Sequence, residues 1–212
     1  MKMKFLCLLF ILSFSLTTHA MGQLKNEETP DNLKKIEEDL ASKADDDEMM
    51  GDETEDDLDP DAADAVAVIA PTFNGPILGQ AYFYQEEDGI TVKTVVSNVP
   101  NPGKHGFHIH ENGSCGDEGK AAGGHFNPHQ ADHGFYPEHG TSTAHLGDMG
   151  NIEIAEDGSG MLTIKLPGIF LKDEAHPVLG KAVILHEKED DFSQPVGNAG
   201  GRIGCGIIVE QL

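Results

Sequence analysis

The sequence predicts an all-β domain, a sandwich or barrel of eight short strands, and three observations carry that expectation. The 212 residues include 25 glycines and 11 prolines with no tryptophan, a balance that favours many turns over long helices. Eight short stretches rich in β-branched or alternating apolar residues lie between clusters of turn residues. No stretch of comparable length carries a convincing helical period within that region, and strands without helices pack as sandwiches or barrels.

The elements follow in chain order. Met1 to Ala20 opens with Lys2 and Lys4, continues through the apolar run Phe5 to Leu16 and closes on Thr18-His19-Ala20. That is the layout of a cleavable secretory signal, and the run is short for a bilayer span of about 20 residues. The mature chain is expected to start near Met21, with Cys7 discarded. Residues 21 to 65 hold 4 basic and 18 acidic side chains and no aromatic ring. Such a segment buries too little apolar surface to offset the entropy of ordering, so it reads as an acidic, disordered tail or linker. Within it Leu33, Ile36 and Leu40 have the spacing of a transient helix over Asn32 to Lys43.

The folded domain is expected from Val66 to Leu212. Its strands are predicted at Val66–Ala70, Gln80–Gln85, Thr91–Asn98, His105–His110, Asn151–Ala155, Met161–Leu166, Lys181–His186 and Ile203–Val209. Two long irregular stretches interrupt them, Glu111 to Gly150 and Glu187 to Gly201, and loops of that length in a compact domain usually carry function. The domain has 8 basic against 19 acidic residues. A surface so short of Lys and Arg gains little from counterion release, which argues against nucleic acid and anionic membranes as partners.

Once the signal is removed, two cysteines remain, Cys115 and Cys205. In an oxidising compartment they form one disulfide or stand as two separate thiols. A bridge between them would close a loop of about 90 residues and contribute about 4 to 5 kcal/mol by chain entropy.

The histidines gather in the same places as the long loops. Residues two apart in a strand share a face, so His108 and His110 can hold one ion between them. His125, His133, His145 and Asp148 offer three imidazoles and a carboxylate, a tetrahedral set suited to zinc. His108, His110 and His186 with a shared His125 offer several imidazoles and room for a small ligand, which suits copper. From these residues alone, a His-rich surface loop that collects metal loosely stays equally open.

The pieces Gly-Phe-His-Ile-His-Glu, Gly-Gly-His-Phe-Asn-Pro, His-Leu-Gly-Asp-Met-Gly-Asn, His-Glu-Lys-Glu-Asp-Asp and Gly-Asn-Ala-Gly-Gly-Arg-Ile-Gly-Cys-Gly occur in that order. Together they resemble the successive motifs of the copper/zinc superoxide dismutases, of a secreted, bacterial-type form, over the chain from Val66 to its end. The resemblance implies an eight-stranded Greek-key β-barrel with two long functional loops, one copper and one zinc per subunit, and conversion of superoxide to hydrogen peroxide and oxygen. It implies copper on His108, His110, His125 and His186, zinc on His125, His133, His145 and Asp148, and a bridging role for His125. It also implies a disulfide between Cys115 and Cys205, a backbone-bonded structural role for His105, and Asp190 as the carboxylate that orients one copper and one zinc histidine. Arg202, the chain's only arginine, matches the guanidinium beside the open copper position, where planar donors suit a small anion.

The implied mechanism has two catalytic side chains, Arg202 orienting superoxide and His125 taking and returning a proton while copper changes oxidation state. Screening over about 8 Å limits repulsion from distant carboxylates, and Arg202 with Lys188 would keep the local field positive. Val196 stands where the family often has Thr. His139, followed by glycine like His133, rivals it as the middle zinc ligand, and His129 and His139 otherwise read as solvated loop imidazoles. Two other functions fit fewer residues: a non-catalytic copper carrier would lack part of the copper set or Arg202, and a zinc hydrolase on His108-Ile109-His110 would need a base that is not evident. The signal implies export, periplasmic or extracellular, with no membrane insertion after cleavage. A homodimer is compatible with the sequence, as is a monomer.

Overall fold

A computed structural model describes residues 58–140, 142–172 and 175–212. The signal, most of the acidic tail and the Asn32–Lys43 segment therefore lie outside the described residues. Among these, the chain folds into nine strands: β1 (Ala65–Pro71), β2 (Leu78–Gln85), β3 (Gly89–Ser97), β4 (Gly103–His110), β5 (Asp148–Ile154), β6 (Gly160–Pro167), β7 (Ala182–His186), β8 (Arg202–Ile207) and the two-residue β9 (Val209–Glu210). The first eight sit on the eight predicted segments. No described helix is long and apolar enough to cross a membrane.

The strands are antiparallel in the order β2-β3-β6-β5-β4-β7-β8-β1, and β1 also pairs with β2, so the sheet closes into a barrel with no open edge. The neighbours of β3 are β2 and β6, and those of β4 are β5 and β7. The chain must therefore cross between β3 and β4, and again between β6 and β7. These crossings make the barrel a Greek key.

Period-two alternation fills the interior. On β3, Ile90, Val92, Thr94 and Val96 point inward, and from neighbouring strands Phe83, Phe107, Ile109, Ile152, Ile154, Leu166 and Leu185 complete the core, all nearly inaccessible to water. Full burial of a side chain of this size stabilises the fold by about 1.5 to 3 kcal/mol.

One part of the barrel is covered on both faces. Phe107 and Ile109 of β4 face the core, yet His108 and His110 on the opposite face are also fully buried. Their cover is the long loops, 111–147 and 187–201. Across this outer face His108 pairs with Ile184, which in turn pairs with Cys205. Ile184, Ala182, Ala122 and Cys205 form a second, smaller apolar cluster there. Cys205 is bonded to Cys115, with Cα atoms 5.8 Å apart, and this ties the first loop to β8.

Candidate metal centre

The two sides of the centre come from different elements. His108 and His110 stand on β4, and His186 ends β7. His125, His133 and His145 stand on the loop between β4 and β5, and Asp148 is the first residue of β5. An isolated bridge between His110 and His125 lays the loop against the end of β4. A β-bulge between Gly106 and His108 shifts the register with β5.

Two groups of four converge: His108, His110, His125 and His186, and His125, His133, His145 and Asp148. In each, one potential ligand atom per residue lies within 4.8 Å of the others, and all members are buried. His125 belongs to both groups. Its Nδ1 is 2.8 Å from Asp148 Oδ1, and its ring centre is 4.2 Å from that of His108.

Asp190, itself buried, reaches both groups. One oxygen lies 2.8 Å from His108 Nε2 and the other 2.9 Å from His133 Nε2. Each ring therefore presents its other nitrogen to the centre. His108 Nδ1 and His133 Nδ1 are buried without a hydrogen-bond partner among the described residues, and His110 Nε2 and His186 Nε2 face each other at 3.3 Å. His133 Nδ1 stands only 2.8 Å from Asp148 Oδ2, a close approach outside hydrogen-bond geometry. Orphaned buried nitrogens are costly, and nitrogens aimed at a common point with a carboxylate fit bound cations. The donor sets suit copper on the four-imidazole side and zinc on the carboxylate side.

Charge behaves differently on the two sides. Burial, reinforced by neighbouring imidazoles, lowers His110 and His186 from 6.5 to about 2. Burial also dominates at His125, which falls to about 4 although its hydrogen bond to Asp148 opposes the change. At His133 burial acts in the same direction but is outweighed by the adjoining Asp148 and Asp190 carboxylates, and the group rises to about 9. Burial would raise Asp148, yet the adjoining His125, His133 and His145 rings hold it well below the usual carboxylate range.

Residues with no ligand chemistry hold this arrangement. Asn151 accepts the N–H of Asp190 at 2.7 Å and donates to its carbonyl at 2.9 Å. Gln194 clamps the backbone of His133 in the same two-point way, at 2.9 and 2.8 Å. Gly197, at φ +76°, lies so close that a Cβ would fall 1.7 Å from Asp190 Oδ1. A Cβ on Gly106 would come within 2.9 Å of Ala199, so that glycine lets the second loop settle over β4. Nothing in the sequence marked Gln194. Asn151 stood inside a matched motif, but nothing in its type marked it as a clamp.

Arg202 faces His186 across the β7–β8 register. Its guanidinium donates to the carbonyls of Gly119 and Gly123, both at 2.6 Å, and the Gly123 carbonyl also lies 3.0 Å from His110 Nδ1. A shared acceptor thus couples the arginine to the four-imidazole side. His105 lies 2.8 Å from the carbonyls of both His186 and Asn101, a backbone-bonded position away from the ligand sets. Lys188 and Val196 are exposed on the second loop.

His133 lies in the carboxylate group and His139 does not. His139 ends a helical turn, Tyr136–His139, where its Nδ1 accepts the Phe135 N–H at 3.0 Å. His129 is exposed, and its ring meets that of His176.

The profile of the family described as copper/zinc superoxide dismutase (SODC) matches residues 77–208. The chain is 37% identical over 139 residues to an extracellular superoxide dismutase [Cu-Zn] of Caenorhabditis elegans, covering 62% of this chain and 61% of that protein. It is 45% identical over 114 residues to an extracellular superoxide dismutase [Cu-Zn] of Haemonchus contortus, covering 50% and 60%. The chain thus spans about three fifths of each of these relatives. Both are nematode proteins, and they lend the bacterial-type expectation no support. A solved structure of the clock protein EA4 superposes with a TM-score of 0.62 at 35% identity, over 71% of this chain and 96% of that one.

Proposed function

The chain belongs to the copper/zinc superoxide dismutase family, and on that premise we propose that it disproportionates superoxide: two superoxide anions and two protons become one dioxygen and one hydrogen peroxide. The single observation that carries this reading is the pair of four-residue groups joined at His125, with Arg202 beside the all-imidazole one.

His108, His110, His125 and His186 would hold copper, and His125, His133, His145 and Asp148 would hold zinc. Copper would supply the one-electron redox change that each superoxide requires, while zinc has no redox chemistry and is structural. The protein's own groups do the rest. The guanidinium of Arg202, fixed by two backbone carbonyls, offers its remaining N–H donors to the incoming anion. His125 keeps Nδ1 toward Asp148, which leaves Nε2 as the atom that takes a proton and returns it to the reduced oxygen. Asp190 and Gln194 keep His108 and His133 from turning.

Export follows from the leader at Met1–Ala20, and the names of both nematode relatives favour the extracellular space over a periplasm. A homodimer is supported by Val68, Ile207 and Val209, exposed apolar residues on the adjoining strands β1, β8 and β9. Sedimentation of the mature chain checks it, and a single monomeric species would remove the dimer.

The test is superoxide consumption by the copper- and zinc-loaded mature chain beside Arg202→Ala and His186→Ala, with metal content measured on the same samples. Arg202→Ala is expected to keep its copper and lose about tenfold in turnover, the equivalent of one guanidinium contact. His186→Ala is expected to lose copper and fall to background. A wild-type protein that binds both metals and leaves superoxide untouched would instead be a copper carrier.

A further inference from the structure

His129 and His176 belong to neither metal group, and the reaction makes no use of them. They come from segments far apart in the chain, His129 from the ligand-bearing first loop and His176 from the connection between β6 and β7. Their ring centres nevertheless lie 4.6 Å apart at an interplanar angle of 80°. Among the described residues, no hydrogen bond reaches a ring nitrogen of either, in contrast to His139, whose Nδ1 accepts a backbone N–H.

Both rings are carried on fixed backbone. His129 sits in a turn that the Asn127 side chain closes from both directions, accepting from the Ala131 N–H at 3.0 Å and donating to the Ala131 carbonyl at 2.9 Å. His176 precedes Pro177, which bridges to Phe170, and the following Val178 N–H donates to the Phe170 carbonyl. The His176 ring also stands edge-on to the buried Phe126, next to the ligand His125. The approach of the two imidazoles is therefore a product of the packing of two loops.

That separation has chemical meaning. Two imidazoles bound side by side on one ion, with metal–nitrogen bonds of about 2 Å, place their ring centres roughly 4.5 to 5 Å apart. In the all-imidazole group, ring centres are 4.2 to 6.0 Å apart. We propose that His129 and His176 form a separate surface site for a divalent transition metal, with copper(II) the ion held most strongly. Imidazole donors suit copper and zinc, and copper(II) heads the affinity order for nitrogen sites. The exposed position of His129 leaves the rest of the coordination sphere to water. Lys181, whose ammonium lies 4.0 Å over Phe126, has the Glu111 carboxylate as a counter-charge.

The site is tested on the full mature chain with both buried sites already loaded with copper and zinc. Copper(II) alone is then added in equilibrium dialysis, and bound metal is followed by paramagnetic resonance. One further copper per chain is expected, with a signal showing nitrogen coupling distinct from that of the buried copper. That equivalent should be lost in His129→Gln and in His176→Gln and kept in His139→Gln, while superoxide consumption stays at wild-type level in all three. No further equivalent, or one that survives in both single variants, overturns the proposal. In the second case the added copper sits elsewhere, such as on the acidic segment before residue 58. Loss of buried copper or zinc in these variants would also overturn it, by showing that the two rings support the main centre instead.

Discussion

The all-imidazole side and the carboxylate side of the metal centre differ in what holds them in place. On the first, three of four side chains project from barrel strands, where alternation alone fixes direction: His108 and His110 stand two apart on β4, and His186 lies on the same outer face of β7. On the second, His125, His133 and His145 come from a loop, where nothing in the backbone period dictates direction. There the work is done by the Asp190 carboxylate, which accepts from His133, by the Asn151 and Gln194 amides, and by the missing side chain of Gly197, whose place Asp190 takes. A site built on strands needs few supports, whereas a site built on a loop needs a shell of them.

The change expected to break this arrangement most completely is Gly197→Ala. Its methyl would occupy the space of Asp190 Oδ1 and would press on His133 Nε2 at 2.6 Å, on backbone already at positive φ. Asp190 must move, and both His108 and His133 lose their orienting partner. The expected result is loss of zinc and a fall in stability of about 3 kcal/mol or more, measured by urea unfolding with metal analysis. Wild-type zinc content in this variant would show that the second loop can shift without cost to the first.

Asp190→Asn sharpens the comparison without adding volume. The amide removes the charge and turns one of the two acceptor oxygens into an NH2 donor, so the charge-assisted bonds that His108 and His133 make to the carboxylate are weakened. Zinc affinity is expected to fall about 10- to 100-fold, the usual effect of removing a partner behind a ligand, and copper affinity less, because β4 still aims His108. Competition with a chelator for each metal separately checks this. Equal losses on both sides would refute the idea that strands make the copper side self-supporting.

The same distinction explains what the sequence made legible. The eight strands were readable because alternation and turn residues report directly on a half-buried sheet. His108 and His110 could be paired for the same reason, by strand parity, whereas His186, on a strand distant in sequence, joined them through imidazole type and motif resemblance. The loop residues were grouped by type and by motif resemblance, and only the distance from His125 favoured His133 over His139. Packing separates them: His133 is drawn under Asp190 and Gln194, while His139 is used up at the end of its own helical turn. Asn151, Gln194 and Gly197 escaped because an amide or a glycine has no signature until the loop it supports is seen in three dimensions. The pairing of His129 with His176 is of the same kind, because it depends on two loops meeting.

The smallest expected effect, and the one that separates the two sides by charge, is the pH dependence of the metal-free protein. His110 and His186 are held neutral by burial, lowered from 6.5 to about 2. Below 6.5 the unfolded chain therefore binds more protons at these positions than the folded one, and stability falls as the solution is acidified. His133 runs the other way, raised from 6.5 to about 9 by Asp148 and Asp190 after burial has taken its part. Its contribution is fully present below 6.5 and is lost as the pH rises through about 9. The stability of the chelator-treated protein is therefore expected to peak near neutrality and decline on both sides, with the alkaline decline belonging to the carboxylate side. In the proposed centre zinc would take the place of the proton on His133, so zinc loading should flatten the alkaline decline. Urea unfolding across the pH range, with and without zinc, measures both limbs. An alkaline limb that zinc leaves unchanged would mean that His133 holds no such proton, and that the two sides of the centre are electrostatically alike.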